Sequence, residues 1–238
     1  MPKLVSLNNR VHKDIKIDTN KIEVIGSSER MIPVVLSEFL KLCVQYPIVF
    51  TKDADTGKFV CVVLLGFEQS ENLFWLKNQW DGIYVPLNIT RQPFFIGKED
   101  LDKEQAVICI DINSPCISTD NGESLFDAQG QDTAYLGSAK SMLAQLIEGE
   151  KQNFNFINTL LNLDLIMPLA LDITFADDKT QRVQGIYTID EEKLDQLSKD
   201  EMLVLHQQKY LKPIYTMVSS LGHIYSLIQR KNTSLMAQ

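Results

Sequence analysis

Apolar positions along the chain form two blocks of strand pattern, with one long helical stripe between them and shorter helical patterns at the end. The first block opens with Ile48–Lys52 and Lys58–Gly66, two runs rich in valine, isoleucine and phenylalanine. Asp53-Ala54-Asp55-Thr56-Gly57 separates them, and Asp and Gly between β-rich runs mark a hairpin of the longer-looped kind. A third strand is expected over Asn72–Leu76 and a fourth over Ala106–Asp111, closed by Asn113-Ser114-Pro115. The second block is another hairpin: Leu169–Phe175, a turn at Asp177-Asp178-Lys179, then Arg182–Ile189. Residues 1–30 are polar and weakly patterned, with a short strand expected at Lys21–Ile25. Residues 31–238 read as one domain, without linker, repeat or low-complexity run.

The helical signals sit between and after these blocks. Ser37 is placed to cap a short helix that Pro47 would end. Residues 116–132 are rich in Asp, Gly and Ser and read as loop. Asp132 or Thr133 starts a long stripe in which Leu136, Met142, Leu143, Leu146, Ile147, Phe154, Ile157, Leu160 and Leu161 recur at three- and four-residue steps. Gly149 marks a point where this helix bends or splits. Asp190 suits an N-cap, and Ser198 with Glu201 forms a capping box. A last helix is expected from Pro213 to Arg230. Strands that cluster, rather than alternate with helices, predict an α+β fold. Its sheet is mostly antiparallel and built from the two hairpin blocks, with a long central helical region and C-terminal helices.

Composition narrows the function classes. A chain of 238 residues with 45% apolar content can bury a core without disulfides or metal. The net charge of −8 disfavours nucleic acid and anionic membrane surfaces as general partners. No apolar run approaches a membrane span. The N-terminus lacks the pattern of a cleavable signal, so a cytoplasmic protein is expected. Delivery to the cell surface by a route without such a signal is the alternative. Cys43, Cys61, Cys109 and Cys116 read as reduced core residues, with a Cys109–Cys116 disulfide as the other option.

Residues 46–95 hold 10 of the 20 aromatic residues, including both tryptophans. Half-buried strands are rich in such rings, and Phe59, Phe67 and Phe74 fit that role. Trp75, Trp80, Tyr84 and Arg91 surround the stretch WDGIYVP and could form an amphipathic pocket or an interface hot spot. Asp111 ends a strand, where an acid serves either a site or an Asx turn. Asp190-Glu191-Glu192 is either a carboxylate cluster or an N-cap with acids in a first helical turn. Ser219, Ser220 and Gly222 make a small-residue strip beside His223, suited to close approach of a ligand or to plain packing. The candidate ligand or partner set is therefore Trp75, Trp80, Tyr84, Arg91, Asp111 and His223. His12, His206 and His223 are too scattered for a metal site, and no phosphate loop or nucleophile elbow is present, so no metal or cofactor is expected.

The order of these motifs resembles the SapC family of bacterial proteins. The matching stretches are YPIVFTKDADTGKFVCVVLLGFEQSENLF (46–74), WDGIYVPLNITRQPF (80–94), ICIDINSP (108–115), LFDAQGQDTAYL (125–136), GIYTIDEEKL (185–194) and YLKPIYTMVSSLGHI (210–224). The resemblance implies an association with bacterial surface layers. It also implies company with tryptophan-halogenase-like and cupin-like proteins of carbohydrate-scavenging bacteria. It brings no catalytic residues. Residues and resemblance together lead to the expectation of a soluble, non-enzymatic binding or accessory protein. Its partner would be a protein, with a tryptophan-halogenase-like or cupin-like one as the example. An enzyme using Asp111 and Asp190 as acid and base, with Arg91, Tyr84 and His223 nearby, is the alternative. A surface-layer structural component is the third reading, and self-association into a homo-oligomer stays open.

Overall fold

A computed structural model describes residues 3–98 and 106–236. Its main sheet has five antiparallel strands in the order Ile166–Thr174, Thr180–Ile189, Ile48–Lys52, Phe59–Leu64, Met31–Pro33. The two hairpins meet edge to edge, because Ile186 and Tyr187 pair with Thr51 and Phe50. The fold is α+β, as the clustering of strands requires. Ile48, Val49 and Phe50 are consecutive and all fully buried, which marks their strand as covered on both faces.

The helix Ala134–Asn162 lies against this sheet, with the Phe156 ring 6.3 Å from Phe50 and 5.1 Å from Tyr210. The Thr133 side chain caps it by accepting from Leu136 N at 3.3 Å. Gly149 does not split it. A Cβ at that position would stand 2.5 Å from Val35 Cβ, so glycine lets the helix approach the chain at Val35.

The last helical region is two helices, Leu211–Ser220 and His223–Met236, rather than one from Pro213 to Arg230. The corner falls in the small-residue strip. There Ser220 donates to Met217 O (2.6 Å) and accepts from Ile48 N (2.9 Å), tying the helix end to the central strand. Ser220→Ala would leave a buried backbone N–H without an acceptor. The expected cost is about 1–3 kcal/mol, read as a lowered urea midpoint.

Two smaller sheets bring in the first thirty residues. Leu4–Ser6 pairs with Ala106–Asp111, which pairs in turn with Phe94–Lys98. Lys16–Ile17 lies between Ile117–Ser118 and Glu123–Ser124, so part of 116–132 is strand rather than loop. Ile17 is fully buried there.

Other expectations give way to side chains that capture the backbone locally. Lys21–Ile25 is not a strand but falls in 3-10 turns, Thr19–Lys21 and Glu23–Gly26, started by Asp18 accepting from Asn20 N. Of Asn72–Leu76 only Trp75–Leu76 is strand, since the Asn72 side chain bonds Phe74 N and Gly26 O. It pairs with Gln79–Trp80 across a turn at Lys77-Asn78, whose φ values of 51° and 62° suit a primed hairpin turn. Ser37 is not a cap. It lies within the turn Leu36–Glu38 and meets Gln145 Nε2, while the Glu38 carboxylate accepts from Val35 N. All four cysteines are free, so there is no Cys109–Cys116 bridge.

Candidate functional site

The aromatic stretch builds a chain of hydrogen bonds. Trp80 Nε1 donates to Tyr46 Oη (2.9 Å), and Tyr46 Oη donates to the Tyr84 carbonyl (2.7 Å). The Tyr84 hydroxyl donates to Glu38 Oε1 (3.2 Å), which also accepts from Leu87 N (2.8 Å). The other Glu38 oxygen accepts from Val35 N (3.1 Å). Burial pushes the Tyr46 phenol up to about 12 and raises the Tyr84 phenol as well. Burial also raises the Glu38 carboxyl against the pull of its three donors. Gln45 pins the loop from outside through Ile83 N (2.6 Å) and Asp81 O (3.3 Å), and Arg230 holds Asp81 at 2.6 Å. WDGIYVP is thus a fixed wall whose polar atoms bond to the protein itself.

The other sequence-singled residues are dispersed. Trp75 is half-buried and stands opposite Trp80 in the two-stranded ribbon. Asp111 accepts from Lys3 N (2.7 Å) and Asn113 N (3.1 Å), the second being the Asx turn. Asp190 accepts from Lys193 N (3.0 Å) as a helix cap. His223 Nε2 is 2.9 Å from Cys43 O. The two aspartates of the acid/base alternative are therefore each engaged in their own local turn. Among the described residues, no group of three or more His, Cys, Asp or Glu could hold a metal ion.

Arg91 opens onto different ground. Its Nε donates to Asn88 Oδ1 (2.9 Å) and its Nη1 to Phe94 O (2.7 Å), with the guanidinium 4.3 Å over the Phe95 ring. Burial lowers its pKa, and the Glu150 carboxylate opposes that. Arg91 lines a cavity of about 390 Å³ together with Phe95, Ile96, Leu143, Ile147 and Glu150. A second cavity of about 740 Å³ shares Asn88 and Glu150 with the first. It runs between helix residues Phe154, Ile157 and Leu161 and hairpin residues Lys58, Phe59 and Val60. Asn153 and Asn88 fasten the chain between the two walls, donating to Val34 O (2.7 Å) and Pro33 O (2.8 Å).

The two cavities adjoin at Asn88 and Glu150 and together make a groove along one side of the long helix. Ile147, Phe154 and Leu161 line it with exposures of 47%, 55% and 44%. The sequence places these three in the same helical stripe as the buried Leu136, Leu143 and Leu160. That stripe is wider than the sheet beneath it covers, and spacing alone does not set these three apart, since buried Leu136 and Leu143 also stand seven residues apart. Glu38 was also missed, although an acid three residues after Val35 is the spacing of a helix-start cap. An apolar groove with Glu150 where its two parts meet and Arg91 in the smaller part can hold side chains of another molecule and orient them.

The family model for SapC matches residues 7–227. The chain belongs to the SapC family. The match spans the groove, the aromatic wall and both hairpins of this SapC protein, which confirms the resemblance carried by its motifs. No curated protein and no solved structure matches the chain. Among the described residues, no helix is long and apolar enough to cross a membrane.

Proposed function

We propose that this SapC protein is a non-enzymatic binding or accessory protein that engages a protein partner along the groove of helix Ala134–Asn162. The observation that carries this reading is the row of half-exposed Ile147, Phe154 and Leu161 lining two joined cavities. Large apolar side chains gathered in a concavity and rimmed by charge have the make-up of an interface core. The resemblance to surface-layer-associated SapC proteins supports a role beside surface-layer or nutrient-uptake biology. Tryptophan-halogenase-like and cupin-like proteins are the first partners to offer, in the cytoplasm.

Phe154→Glu tests the reading. It puts a charge at the middle of the row on a side chain already more than half exposed. Stability should shift by no more than about 0.5 kcal/mol, as for other surface changes. Retention of the partner on an affinity column should fall at least tenfold, since burying an unpaired charge opposes association. A variant that holds the partner as the wild type does would remove the groove from consideration.

A further inference from the structure

We propose that the groove receives an amphipathic helix of the partner, with apolar residues on a seven-residue repeat, a lysine or arginine against Glu150 and a carboxylate against Lys58. This inference rests on the binding reading above and names the occupant of the same groove. Ile147, Phe154 and Leu161 stand seven residues apart on one helix, hence about 10.5 Å apart along its axis. A second helix with the same repeat brings its side chains into step with that row. An extended peptide does not, because its same-face side chains recur at roughly 6.7 Å.

Charge supplies direction. Glu150 lies between Ile147 and Phe154 on the same side of the helix, where the two cavities meet. Its side chain is exposed; the Arg91 guanidinium in the smaller cavity acts on it through charge alone, and among the described residues it takes no hydrogen bond or salt bridge. The Lys58 ammonium, on the hairpin wall of the larger cavity only, is likewise without a carboxylate partner among them. Opposite charges at two separate places in an apolar seam fix register and polarity.

The probe is a fluorescein-labelled synthetic peptide of 18 residues, with leucine on the seven-residue repeat and lysine at the position that meets Glu150. Its controls are a scrambled sequence, a version with glutamate in place of that lysine, and a version with a central proline. Fluorescence anisotropy against the full chain should show the first peptide binding at least tenfold tighter than each control. Phe154→Glu should abolish that advantage, and Glu150→Lys should reverse the preference between the lysine and glutamate peptides. Equal binding of the proline peptide, or a preference that ignores the charge exchange, overturns the helix. A second arm separates this failure from failure of the binding reading. In it, Phe154→p-benzoylphenylalanine is cross-linked in cells and the attached segment is sequenced. A partner segment with the seven-residue repeat supports the proposal. A partner segment without it overturns the helical occupant alone. A second copy of this chain overturns the partner, and no cross-link overturns both readings.

Discussion

Glu38→Ala is expected to destabilise the protein by about 3 kcal/mol or more. The carboxylate accepts from three donors in two separate stretches of chain: Val35 N nearby, and Leu87 N and the Tyr84 hydroxyl from the aromatic loop. Val35 and Leu87 are buried, so deleting the acceptor leaves their N–H groups without water or partner. Each orphaned buried donor costs about 1–3 kcal/mol. Glu38→Gln keeps the shape and one carbonyl oxygen, which can still serve Leu87 N and Tyr84, while its amide meets the Val35 N–H donor to donor. Its loss should be smaller, about 1–2 kcal/mol.

The wild type and Glu38→Gln also separate on pH. Burial raises the folded pKa of Glu38 above its ordinary 4.5, so the folded chain holds this proton more tightly than the unfolded one. Protonation thus contributes stability that is fully present below 4.5 and is lost as pH rises through the higher folded value. Glu38→Gln has no such proton. The wild type's advantage over it should therefore shrink as pH rises from 4.5, measured by urea unfolding across a pH series. A gap that widens with pH would mean that the three donors outweigh desolvation and hold the carboxylate ionised.

Much of this architecture is legible before any coordinates. Alternation and turn chemistry locate the hairpin of Ile48–Lys52 and Phe59–Leu64, because its Asp53 loop encodes its own closure: Asp53 accepts from Thr56 N and Oγ1. Thr133, Asp190 and Ser198 cap where the pattern places them, since each bond lies within one helical turn. Lys21–Ile25 and Asn72–Leu76 mislead because single side chains, Asp18 and Asn72, redirect a backbone of reasonable strand composition. The groove was less legible for another reason. Periodicity says which residues share a face of a helix, not how far the neighbouring sheet extends beneath that face. Phe154 and Phe156 look alike in sequence, yet one lines the groove and the other is fully buried. The Glu38 node unites residues near 35, 46, 80, 84 and 87, a long-range closure that no local pattern encodes.

Trp80→Ala decides between the two roles open to the aromatic stretch, and it should unfold the protein before it impairs binding. Trp80 is 8% exposed, and its ring lies where a Cβ on Gly26 would come within 2.8 Å of Cζ3. Removing an indole so tightly enclosed costs about 3–5 kcal/mol in lost burial and residual cavity. Trp80→Phe keeps most of the ring volume and gives up only the Nε1 bond to Tyr46. The Tyr46 hydroxyl still donates to the Tyr84 carbonyl, so about 1–2 kcal/mol is expected. In both variants, partner affinity measured on the folded fraction should stay within threefold of the wild type, because the ring meets the protein rather than the groove. A folded Trp80→Ala protein that has lost its partner would instead return the binding site to the WDGIYVP wall. Tyr84→Phe supplies the independent check. It removes one of the three Glu38 donors while leaving the Tyr84 carbonyl that Tyr46 uses, so its destabilisation should be smaller than that of Glu38→Ala and its partner affinity unchanged.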